Sequence, residues 1–155
     1  MERIDSVRPS WDSYFLQVAK LIATRSTCRA FPVGAVIVKD KQIISSGYNG
    51  SPSGTSHCTT QGNCYPGVDS CDKSSLPSRA IHAETNAIAQ AAKHGIPTAG
   101  SSIYVTLQPC LSCLKLLIAS GVTTVYYEKT FDCKGGDVYN MFVDEDLIKL
   151  IQLKE

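Results

Sequence analysis

The order in which helical and strand patterns succeed one another along this chain leaves few folds open to it. Trp11, Tyr14, Phe15, Val18, Ala19, Leu21 and Ile22 recur at helical spacing behind Pro9 and Ser10, which predicts an amphipathic helix over residues 11–25. Gly34-Ala-Val-Ile-Val38 and Ile43-Ile44 flank a polar turn at 39–42, the pattern of a two-stranded hairpin. A second helix is expected over 82–94, where Ala83, Ala87, Ile88, Ala91 and Ala92 precede the stop signals Gly95 and Pro97. The β-branched run 102–106 reads as a strand, and a third helix is expected over 110–120 behind Pro109 and before Gly121. Residues 122–127 read as a further strand. The stripe Leu147, Ile148, Leu150, Ile151 predicts a terminal helix over 144–153, with Asp144-Glu145-Asp146 as its acidic start. A hairpin followed by alternating helices and strands implies an α/β sandwich around a mixed sheet. Its 155 residues hold one core, and neither a repeat nor a linker divides it.

Residues 49–78 break this rhythm. They are rich in Gly, Ser, Pro and Thr, carry Cys58, Cys64 and Cys71, and show no periodicity. Thirty residues are too many for an ordinary loop, so something other than an apolar core must order them. The chain has seven cysteines, an odd number that cannot close entirely into internal disulfides. In a reducing compartment such cysteines bind metal or react more often than they pair.

Charge narrows the partners. Fifteen Lys and Arg against 14 Asp and Glu leave a formal charge of +1, too little to grip a nucleic-acid backbone or an anionic membrane. Apolar runs fall short of the roughly 20 residues of a bilayer span, and residues 1–12 alternate charged and polar types where a signal peptide would be apolar. A cytoplasmic protein is expected, in the host's cytoplasm if the source is viral.

Two short motifs stand at the expected starts of the second and third helices: His82-Ala83-Glu84 and Pro109-Cys110-Leu111-Ser112-Cys113. Alone, a Cys-x-x-Cys pair can be redox-active, structural or accidental, and a histidine among alanines is commonly a packed residue. Together they are specific. Cys110 and Cys113 share a helical face, His82 adds an imidazole, and three protein ligands leave a fourth zinc position open to water. Glu84 lies about 200° around a helix from His82, so the two side chains can converge only beyond the helix's end. Two helix N-termini aimed at one point would favour bound thiolate and hydroxide.

A histidine, a glutamate two residues on, and a later Pro-Cys-x-x-Cys form the signature of zinc deaminases. The chain resembles the cytidine deaminase superfamily, and within it the deoxycytidylate (dCMP) deaminases. The residues that carry the narrower likeness are Arg25-Ser-Thr-Cys28, Val33-Gly-Ala-Val-Ile-Val38, Gly47-Tyr-Asn-Gly-Ser-Pro52, His82-Ala-Glu-Thr-Asn-Ala-Ile88 and Tyr104-Val-Thr-Leu-Gln-Pro-Cys110, within residues 11–128. The resemblance implies a three-layer α/β/α sandwich with a central mixed sheet of about five strands, in a single domain over 1–155 with a zinc-ordered insertion at about 53–78. It further implies hydrolysis of dCMP to dUMP and ammonia, a catalytic zinc on His82, Cys110 and Cys113, and Glu84 as the proton carrier.

The same resemblance implies substrate contacts at Ser26, Asn49, Ala83 and Tyr126, with Asn49 on a sugar hydroxyl. It also implies a regulatory nucleotide at Gly47, Tyr48, Asn49, Gly50 and Pro52, with dCTP activating and dTTP inhibiting together with Mg2+, in a homohexamer. Spacing alone fits ordinary turn chemistry at 47–50 equally well. A structural zinc is expected on Cys28, Cys58, Cys64 and Cys71, with His57 as alternate ligand; buried free thiols are the competing reading. Cys133 is left as a free thiol, and His94 is expected to complement a helix C-terminus. Other deaminase substrates (dCTP, cytidine, guanine, a tRNA base) are the nearest alternatives. A non-catalytic zinc-stabilised binding module is the alternative of another class, although a closed zinc site has no use for Glu84.

Overall fold

The computed structural model describes residues 7–28, 31–57, 80–130 and 136–154. Its elements follow in the order α1 (Trp11–Ala23), β1 (Gly34–Lys39), β2 (Gln42–Tyr48), α2 (Ala83–Lys93), β3 (Ser102–Leu107), α3 (Leu111–Ala119), β4 (Thr124–Lys129), α4 (Gly136–Asp144) and β5 (Lys149–Gln152). The five strands form one sheet in the order β2-β1-β3-β4-β5. β1 is antiparallel to β2 and β3, whereas β3, β4 and β5 run parallel. The mixed five-stranded sheet matches the expectation.

Strand alternation builds one apolar layer on each face. On one face Ala35, Ile37, Ile103, Val105 and Val125 pack against Ala83 and Ala87 of α2, Leu114 and Leu117 of α3, and Tyr139 of α4. On the other, Val36, Val38 and Tyr104 pack against Phe15 and Ala19 of α1. Ser10 caps α1 by accepting from the Ser13 N–H at 3.1 Å. The hairpin turns on Asp40 and Lys41, both in the left-handed region at φ 51° and 61°, the conformation a two-residue turn needs to match the strands' twist.

The terminal helix expected over 144–153 is absent. Asp144 closes α4 and does not open a helix, Asp146 takes a left-handed φ of 58°, and residues 149–152 form β5. Leu147, Ile148, Leu150 and Ile151 satisfy a helical stripe, but burial alternates along the segment: Ile148 is buried, Lys149 exposed, Leu150 half-buried and Ile151 exposed. The free edge of β4 decides the matter, since pairing Thr124 with Lys149 and Val125 with Leu150 satisfies its backbone groups. α4 was not foreseen; Tyr139, Phe142 and Val143, which it packs inward, are its signal.

Candidate metal centre

The two motifs sit where their local chemistry requires. His82 is the N-cap of α2 and Cys110 the N-cap of α3, both with extended backbone and without a side-chain cap bond. Their side chains meet past the helix ends, where unpaired N–H groups concentrate positive charge. Pro109 fixes the entry to α3, and Cys113 follows one turn inside it. His94 is the C-cap of α2, the place expected for it.

At this junction the donor atoms of His82, Cys110 and Cys113 lie within 4.8 Å of one another. The His82 Nδ1 stands 3.5 Å from Cys110 Sγ and 3.3 Å from Cys113 Sγ. A tetrahedral ion with Zn–S about 2.3 Å and Zn–N about 2.0 Å would hold nitrogen and sulfur about 3.5 Å apart. Donor set and spacing thus fit zinc. Among the described residues this is the one cluster of at least three such ligands.

Glu84 is only 4% exposed yet ionisable. Burial pushes its carboxyl above the ordinary carboxylate range, against the opposing hydrogen bond with Cys113 and the nearby His82. The hydrogen bond from Cys113, aided by His82, draws the Cys110 thiol down to about 4, while the same bond to Cys110, with burial, pushes the Cys113 thiol up. Without metal the pair therefore holds one thiolate and one thiol. Thr85, one residue beyond Glu84, places its Oγ1 3.7 Å from Cys113 Sγ. That contact was not anticipated, although Thr85 lies three residues from His82 and so shares its face.

Residues 9–129 match the family described as cytidine and deoxycytidylate deaminase zinc-binding region. The chain belongs to this family. It is 42% identical over 160 aligned residues to ComE operon protein 2 of Bacillus subtilis, covering 97% of this chain and 78% of that protein. It is 40% identical over 126 aligned residues to the deoxycytidylate deaminase of Mycobacterium phage D29, covering 79% of this chain and 97% of that one. The fold is similar to the crystal structure of dCMP deaminase from cyanophage S-TIM5 in complex with dCMP and dUMP, with a TM-score of 0.75 and 26% identity over 96% of this chain and all of that one.

The other expected site residues divide. Asn49 is buried, and its side chain ties Ser26, after α1, to the lead-in of β1: Oδ1 accepts from the Val33 N–H at 2.8 Å and from the Ser26 hydroxyl, while Nδ2 donates to the Phe31 carbonyl. Ser26 is thereby brought to Asn49, and its hydroxyl oxygen also accepts from the Cys28 N–H. Ala83, the first residue of α2, adjoins His82. Tyr126 is not brought to this group: it stacks on Tyr104 at 4.5 Å and packs in the α1 layer, across the sheet from α2 and α3. Gly47 and Tyr48 lie against α2. Asn86 donates to the Tyr48 carbonyl at 2.8 Å, and Gly50 and Ile81 exchange backbone hydrogen bonds beside His82. Cys58, Cys64, Cys71, Cys133 and most of the expected insertion lie outside the described residues. No helix of the described residues is long and apolar enough to cross a membrane.

Proposed function

We propose that this chain is a zinc-dependent hydrolase that converts dCMP and water to dUMP and ammonia, supplying dUMP for thymidylate synthesis. The observation that carries this reading is the meeting of His82, Cys110 and Cys113 with buried Glu84 at two helix N-termini. The names of the relatives supply the substrate: deoxycytidylate deaminases at 40% identity in Mycobacterium phage D29 and 35% in Schizosaccharomyces pombe.

His82, Cys110 and Cys113 would hold the ion. Bound there, zinc supplies the Lewis acidity that makes water a nucleophile near neutral pH. Glu84, as a carboxylate, accepts the proton of the water that attacks C4 of cytosine and passes it to N3. It then takes the remaining proton from the new C4 hydroxyl and delivers it to the amino group, so the C4–N bond breaks, ammonia leaves and the uracil carbonyl forms. Its raised pKa suits both halves of this shuttle, because desolvation makes the carboxylate a stronger base than an exposed one while leaving the protonated form an acid. Asn49 has one amide hydrogen left after its bond to Phe31, and directs it to a sugar hydroxyl, with Ser26 beside it and Ala83 next to the ligand His82.

Regulation belongs to the same reading. dCTP, with Mg2+, activates and dTTP inhibits through Gly47, Tyr48, Asn49, Gly50 and Pro52 of a homohexamer in the cytoplasm; the bond from Asn86 of α2 to Tyr48 supports a direct effect on Glu84. A second zinc joins Cys28 to the cysteines of the insertion. The buried, unpartnered His57 Nδ1 supports the alternate ligand at that site.

Loss of cytosine absorbance, compared for dCMP, deoxycytidine and dCTP, tests the activity. Turnover of dCMP well above the other two is expected; turnover of deoxycytidine alone would overturn the substrate, and of none of them the chemistry. dCMP saturation that is sigmoidal, straightened by dCTP and suppressed by dTTP tests the regulation. One zinc per fully loaded chain would reject the second site.

A further inference from the structure

Two pairs of residues three apart face each other across the metal centre: His82 and Thr85 on α2, Cys110 and Cys113 on α3. Three residues span about 300° of helix, so the members of each pair share a face. His82, Cys110 and Cys113 are the ligands of the reading above, and Thr85 completes the square. Its Oγ1 is 3.7 Å from Cys113 Sγ.

A thiolate needs donors, and the two sulfurs are served differently. Cys110 is partly exposed and stands at the N-terminus of α3, among that helix end's unpaired N–H groups and within reach of solvent. Cys113 is only 2% exposed, so solvent contributes little to it. As a ligand, His82 Nδ1 has no hydrogen to give, and Glu84 as a carboxylate is an acceptor only. A hydroxyl donor remains. The geometry points to Thr85 as a positioning residue that donates its hydroxyl hydrogen to the Cys113 thiolate when the ion is bound, fixing the sulfur and reducing its electron donation to the metal.

This inference rests on the zinc-site reading, and Co2+ in place of zinc separates the two. In the full-length wild-type protein Co2+ should give a thiolate-to-metal charge-transfer band; absence of that band would overturn the site itself. Thr85→Val keeps the β-branched shape without the hydroxyl. It should move the band to longer wavelength and weaken zinc affinity, measured by chelator competition, about tenfold, in the usual range for loss of such a partner. Thr85→Ser should restore both values, and the thermal midpoint of metal-free Thr85→Val should match wild type. A Val variant with unshifted band and unchanged affinity overturns the assignment. So does weaker affinity accompanied by an unshifted band and a lower metal-free midpoint, which marks a merely structural role.

Discussion

Gly47 lies so close to α2 that a Cβ built on it would stand 2.5 Å from the Ala83 carbonyl oxygen and 2.5 Å from the Ala87 amide nitrogen. The glycine that resemblance places in a nucleotide-binding segment is thus required by packing. It lets β2 carry the helix on which His82 and Glu84 stand. Gly34 does the same for α1, where a Cβ would meet the Ala19 carbonyl oxygen.

Gly47→Ala and Gly34→Ala should therefore part in their effects. Each forces helix and strand apart and should cost about 1–3 kcal/mol in urea denaturation, the usual range for overpacking. Gly47→Ala should also lower kcat and zinc affinity, because α2 carries the site, whereas Gly34→Ala should leave zinc affinity unchanged. Equal effects of the two on zinc would refute the packing account.

Glu84→Gln should keep stoichiometric zinc and lose turnover by at least about 10²-fold, the lower end of general acid–base contributions. Stability provides an independent check of the burial. Glu84 has a folded-state pKa above its ordinary value of 4.5, so the carboxyl favours the fold below pH 4.5, and that contribution is lost as pH rises through the folded value. Metal-free Glu84→Gln should accordingly melt higher than wild type at pH 7 and lose the advantage below pH 4.5. A pH-independent difference in melting temperature would contradict the desolvation of this carboxyl.

Zinc uptake should release protons. With Cys110 drawn down to about 4 and Cys113 pushed up, the metal-free pair carries one proton at neutral pH, and ligation requires both thiolates. About one proton per zinc should appear in weakly buffered solution at pH 7, and affinity should rise about tenfold per pH unit between pH 6 and 8. A flat affinity across that range would show the metal-free site already doubly ionised.

Asn49→Ala should cost about 1–3 kcal/mol in stability even without substrate, because the buried Val33 N–H loses its partner. A role on the sugar shows separately. The variant should raise KM for dCMP far more than for a substrate lacking the 3′-hydroxyl, and equal increases would leave Asn49 a purely structural residue.

The metal centre was legible in the sequence because its geometry is local. Each ligand lies at or just inside a helix N-terminus, and N-terminal chemistry is set by neighbours a few residues away: Pro109 ahead of Cys110, Ala83 and the alanine run after His82. The 200° offset of Glu84 from His82 correctly required a site beyond the helix end. Thr85 escaped notice because a threonine in a first turn has many ordinary roles, and only the approach of α3 gives it a sulfur.

What the sequence by itself determined is the succession of α1, the hairpin, α2, β3, α3 and β4, together with the meeting of His82 and Glu84 with the Cys110 pair, because periodicity and capping act within one or two turns. Tertiary structure alone decided the rest. Residues 149–152 became a strand because the edge of β4 lacked partners, Tyr126 fell in the α1 layer through its register with Tyr104, and Gly47 proved indispensable through the nearness of Ala83. Each of these outcomes depends on an atom more than twenty residues away in the chain. Contacts of that range leave no period in the sequence, since they are fixed only when the layers close.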